Sequence, residues 1–79
     1  MADIEVRYWA GARAAAGVER DRATATSVAD LVALLSQRTP ALVPVLAVSS
    51  LLVDGLVVGP ERALADGEVV EVLPPFAGG

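Results

Sequence analysis

The stretch Thr26–Pro40, TSVADLVALLSQRTP, decides how the rest of the chain is read. Val28, Leu31, Leu34 and Leu35 recur at the spacing of one helical face. Ser27 stands where a cap accepts from the first free N–H groups, and Asp30, three residues on, is a shorter form of the capping-box acid. Pro40 ends the segment, because the residue before a proline resists the helical region. The spacing predicts a helix between Ser27 and Pro40, and no other stretch shows that period as clearly.

On either side of this helix the period changes to two. Ile4, Val6 and Tyr8 alternate with Glu5, Arg7 and Trp9, as in a half-buried strand. GARAAAG, residues 11–17, reads as a small-residue connection with room for a helical turn. VERDRATAT, 18–26, reads as an edge strand paired with the first. ALVPVLAVS, 41–49, reads as an irregular crossing segment. SLLVDGLVV, 50–58, reads as a hairpin about Asp54-Gly55, a pair suited to a type I′ turn. GPERALADGE, 59–68, reads as a connection with a short helical turn at Glu61–Leu64. EVVEVL, 68–73, is the last strand.

The order is therefore strand, strand, helix, then three strands: an α+β chain with one main helix. One helix covers one face of a sheet, so the other face meets water or a partner. If Ile4, Val6 and Tyr8 face the helix, Trp9 faces away. In the last strand Val70 and Val72 face in, while Val69, Glu71 and Leu73 face out. With the first and last strands adjacent, Trp9 and Leu73 share the open face, and such an apolar patch marks a binding surface. The competing reading places Trp9 in a second small core beneath the 41–49 segment.

Composition narrows the function. Seventy-nine residues make one domain, marginally stable alone. Cysteine and histidine are absent, which excludes disulfides, thiolate chemistry and imidazole ligands. All six basic residues are arginine, so no Schiff base forms. A net charge of −4 with scattered arginines argues against nucleic acid or an anionic membrane as partner. No apolar run is long enough to span a bilayer, and the N-terminus lacks the pattern of a signal peptide, so the expected location is cytoplasmic. Serines, threonines and carboxylates show no grouping that suggests an active site.

The remaining signal is the ending, VLPPFAGG. Residues 1–74 read as the domain and 75–79 as a tail. Pro74 and Pro75 stop the ladder and hold the chain extended. Phe76 on that arm could fill a partner's pocket, contributing about 1.5–3 kcal/mol. Ala77, Gly78 and Gly79 are slim enough to thread a narrow channel. The Gly79 carboxylate at the tip is a poor acyl donor until adenylated, and the chain has no phosphate-binding loop of its own, so a partner enzyme must supply that step.

The chain resembles the MoaD/ThiS family of ubiquitin-like sulfur carriers, above all the small subunits of molybdopterin synthase. The resemblance spans essentially the whole length. It rests on YWAGAR (8–13), VDG (53–55), ALADGEVVEVLPPFAGG (63–79) and total size. Arg13 stands at the family's usual arginine in the first loop; Ala14 replaces the acid that often follows, and Asp54 stands where asparagine is common.

The resemblance implies a β-grasp fold, a mixed sheet of four to five strands with one main helix on one face. It implies that an E1-like, MoeB-like enzyme adenylates Gly79 with ATP and that a sulfur donor protein converts the adenylate to a thiocarboxylate. The tail would then enter a MoaE-like large synthase subunit in a heterotetramer, and the sulfur would pass to cyclic pyranopterin monophosphate. The catalytic residues would be the large subunit's, and no cofactor would be bound by this chain. Trp9, Val57, Leu73 and Arg13 would form the partner surface, and Pro74 to Gly78 would thread. The same tail would serve a carrier for thiamine, cysteine synthesis or tRNA thiolation, or a protein modifier. A β-grasp interaction module with an inert tail is the alternative outside carrier chemistry.

Overall fold

The structure, a computed structural model, describes residues 1–75. Strand β1 (Ala2–Tyr8) leads into helix α1 (Ala10–Ala16) and strand β2 (Arg20–Ala25). Helix α2 (Val28–Arg38) follows, then a 3₁₀ turn (Pro40–Leu42) running into helix α3 (Val43–Val48). Strands β3 (Ser50–Val53), β4 (Leu56–Val57) and β5 (Val69–Leu73) are the last elements among the described residues. The five strands form one sheet in the order β2-β1-β5-β3-β4. The central pair, β1 and β5, is parallel and the other neighbours are antiparallel. The expected adjacency of first and last strands is therefore observed.

Alternation sets the core. Ile4, Val6, Val70 and Val72 are fully buried, and Tyr8 is 2% exposed. They pack with Leu31 and Leu35 of α2 and Leu42 of the 3₁₀ turn in a single apolar cluster. Burial of each such aliphatic side chain contributes about 1.5–3 kcal/mol. Of the helical stripe, Val28, Leu31 and Leu35 are buried and Leu34 is partly so.

The N-terminus of α2 is capped as the sequence suggests, with one variation. Ser27 Oγ accepts from the Asp30 N–H at 3.2 Å. Asp30 reaches back one residue further than in a standard box, accepting from the Thr26 N–H at 3.0 Å. The other free N–H groups are satisfied by a loop: Val28 N–H donates to the Arg62 carbonyl and Ala29 N–H to the Pro60 carbonyl. That use of its carbonyls accounts for the first correction. Residues 61–64 form no helical turn; instead Ala63 bridges to Ser27.

The second correction concerns residues 41–49, which are helical rather than irregular. Pro40 and Pro44 both fall in a first turn, where the missing N–H has no intrahelical partner to lose. Leu42 and Leu46 join the same core as Ile4, so this segment lies on the α2 side of the sheet and covers nothing on the other. The third is α1, a full short helix where only a turn was expected. Alanine is the best helix former, yet an alanine run carries no apolar stripe to betray it. Gly17, in the left-handed conformation at φ 77°, closes it by donating to the Arg13 carbonyl.

Candidate docking face

The strand registers assign the open face row by row. Arg7 pairs with Arg20 on one side and Glu71 on the other, Glu71 with Leu52, and Leu52 with Val57. One row across the sheet thus runs from Arg20, Arg7 and Glu71 to Leu52 and Val57. Charge lies over β2 and β1, and apolar surface over β3 and β4. The next row carries Leu73 opposite Ser50.

Trp9 follows β1 and caps this surface. Its N–H donates to the Val72 carbonyl, prolonging the β1–β5 ladder by one residue. Its indole Nε1–H donates to Glu71 Oε2 at 3.1 Å, which places the ring over the open face. Trp9 is 46% exposed while Tyr8, one residue earlier, is buried. Val57 is 71% exposed. Trp9, Leu73 and Val57 therefore share one face, with Leu52 between Leu73 and Val57, and among the described residues no helix covers it. The reading in which Trp9 joins a second core does not hold.

The turn that presents Trp9 is strained. Ala10 has φ 49°, a left-handed conformation that costs an L-residue with a Cβ about 1–2 kcal/mol. The chain there switches abruptly from strand to helix. Asp54 and Gly55 at the β3–β4 turn both have positive φ, the type I′ geometry expected of Asp-Gly. That turn holds Val57 at the outer edge of the arc.

Arg13 lies on α1, not in a loop, and its guanidinium is 4.0 Å from the Glu19 carboxylate. With Arg7, Trp9, Glu19 and Arg20 it lines a small open cleft at the edge of the face. Pro74 is buried and Pro75 is exposed beyond the end of β5. Phe76, Ala77, Gly78 and Gly79 lie outside the described residues.

Burial pushes the Tyr8 phenol up to about 12, aided by the nearby Asp21 carboxylate and opposed by Arg38. A hydrogen bond from Arg62 holds the Glu68 carboxyl below its ordinary value, with the Ala65 N–H adding to it. The same bond raises the Arg62 guanidinium. These groups fix the 59–68 loop and the core. Among the described residues no cluster of His, Cys, Asp or Glu could hold a metal ion. Among them, too, no helix is long and apolar enough to cross a membrane.

The face is thus an open, partly apolar one, built on a sheet with the first and last strands at its centre. The family model described as ThiS family matches residues 6–79. The chain belongs to the ThiS family. It is a ubiquitin-like β-grasp protein of the ThiS/MoaD sulfur-carrier type. No curated protein matches it. Among solved structures, it is similar to a putative molybdopterin converting factor subunit 1 from Pyrococcus furiosus, at 26% identity and a TM-score of 0.87, covering 96% of this chain and all of that one. It is also similar to small archaeal modifier protein 1 from Methanosarcina acetivorans, at 27% identity and 0.90, covering 100% and 98%. A third is a chain of the protein-protein complex of subunits 1 and 2 of the molybdopterin-converting factor from Helicobacter pylori 26695, at 26% identity and a TM-score of 0.75, covering 98% of this chain and 99% of that one.

One residue of the face and one contact escaped the sequence reading. Leu52 belongs to the arc only through its register with Glu71 and Val57. Glu71 was assigned outward by parity, but its bond to Trp9 required knowing that β5 lies beside β1 in parallel.

Proposed function

We propose that this chain is the sulfur carrier of molybdenum cofactor biosynthesis, the small subunit of molybdopterin synthase. The observation that supports this reading most is the similarity to the Pyrococcus converting factor subunit 1 over nearly the full length of both chains. The Helicobacter neighbour, described in complex between subunits 1 and 2, supports a large-subunit partner. The arc of exposed Trp9 and Val57 with half-buried Leu73 and Leu52 is a surface that such a partner would cover.

In this reading the Gly79 carboxylate attacks the α-phosphorus of ATP in an E1-like enzyme, and pyrophosphate leaves. Sulfide-level sulfur delivered by a donor protein then attacks the acyl carbon and expels AMP, leaving a thiocarboxylate. Pro74 to Gly78 carry it into the large subunit, whose residues transfer the sulfur to cyclic pyranopterin monophosphate. The complex is a heterotetramer in the cytoplasm, and this chain holds no cofactor. The test is reconstitution: thiocarboxylated chain, large subunit and pterin precursor should yield molybdopterin, and the chain ending at Gly78 should yield none.

A second reading has a specific observation in its favour, the similarity to small archaeal modifier protein 1. There Gly79 would be joined to lysines of other proteins. Conjugates in cell extract that are lost with Gly79, together with a failed reconstitution, would favour it.

A further inference from the structure

Glu71 stands where the charged half of the face meets its apolar arc, with Arg7 on one side and Leu52 on the other. Leu73 lies two residues on, and Trp9 above it. Covering an unsatisfied carboxylate with an apolar partner would be costly. Its nearest cation by register, Arg7, is turned to Glu5 instead, at 3.4 Å. What Glu71 holds is the Trp9 indole N–H, at 3.1 Å. The extended backbone at Trp9 continues the alternation of β1 and so points the ring outward.

We infer that Glu71 is a positioning residue of the docking face: its carboxylate holds the Trp9 ring against the sheet in the orientation a partner receives. The inference rests on the proposed function only for the identity of that partner. A ring already held loses less freedom on association, and a carboxylate already bonded is less costly to cover. An exposed indole without that bond would sample several rotamers.

The test exploits a single tryptophan. In the free protein, the solvent-exchange rate of the indole Nε1 proton is measured by NMR, with the tryptophan emission, for wild type, Glu71→Gln and Glu71→Leu. Circular dichroism confirms that each is folded. Glutamine keeps an acceptor, so exchange and emission should stay near wild type. Leucine removes it, and exchange should rise about fivefold. Affinity for the large synthase subunit of the same organism then gives an opposed pair of expectations. Leucine enlarges the apolar arc, so apolar area alone predicts tighter binding. Positioning predicts binding weaker by about fivefold, with glutamine within about twofold of wild type. Unchanged indole exchange in Glu71→Leu, or tighter binding by it, overturns the inference. If wild type does not bind the large subunit, the proposed function fails, and the indole exchange alone still decides the role of Glu71.

Discussion

Tyr8 and Trp9 are adjacent in sequence and should answer truncation in opposite ways. Tyr8 is 2% exposed and belongs to the core cluster. Replacing it with alanine should cost about 3–5 kcal/mol, the range for a buried aromatic. Small domains have about 5–15 kcal/mol in all, so Tyr8→Ala should lower the melting temperature by roughly 15 °C or more, or prevent folding. Trp9 is 46% exposed. Folding hides roughly half of a tryptophan's area of about 250 Å², which at about 25 cal/mol/Å² is at most about 3 kcal/mol. The methyl of alanine and a compact denatured state reduce this to about 1–2 kcal/mol, a fall of roughly 5–10 °C. Binding should show the reverse weighting. As the central aromatic of the arc, Trp9 truncation should cost about 2 kcal/mol or more, roughly thirtyfold in Kd for the large subunit. Thermal unfolding by circular dichroism and calorimetric titration measure the two quantities on the same samples. A Trp9→Ala variant as unstable as Tyr8→Ala, or one binding within threefold of wild type, would refute the assignment of the two faces.

Other outcomes follow from particular groups. The Tyr8 phenol, pushed up to about 12 from 10.0, is neutral in both states below pH 10; above it the unfolded chain ionises first, so stability should fall between about pH 10 and 12 by roughly 2–3 kcal/mol. Denaturant titrations across that range should show the loss, and Tyr8→Phe should remove it. Glu68, held below its ordinary value by Arg62, contributes stability above the ordinary carboxylate range that is lost as pH falls through its lowered value. Glu68→Gln should therefore flatten the acid limb of a melting-temperature profile. Ala10→Gly should be neutral or raise stability by up to about 1 kcal/mol, although alanine to glycine in a helix ordinarily costs about that much, because the left-handed strain is relieved. A melting temperature lowered by several degrees would show that Ala10 is not strained in solution.

Much of this architecture was legible because its signals are local. The stripe of α2, its Ser27 cap, the Asp54-Gly55 turn and the alternation in β1 and β5 each lie within a few residues. Alternation also separated Tyr8 from Trp9 before any pairing was known. The misread segments are those where local signals cancel. Pro40 and Pro44 look like interruptions unless each is known to begin a helical turn. The alanines of α1 have propensity without pattern. The backbone of 59–64 serves the N-terminus of α2, a tertiary demand that no local pattern records. The Glu71–Trp9 bond was hidden for the same reason, since it depends on two residues 62 apart meeting in parallel strands.

Sulfur carried on the last residue would show in the intact mass of the protein. The protein is incubated with an E1-like adenylating enzyme shown active on its own carrier, together with ATP and a sulfide source. The account predicts a gain equal to the replacement of one oxygen by sulfur, absent without ATP and absent from a chain ending at Gly78. An unchanged mass in a folded sample, repeated with the adenylating enzyme of the same organism, would contradict it.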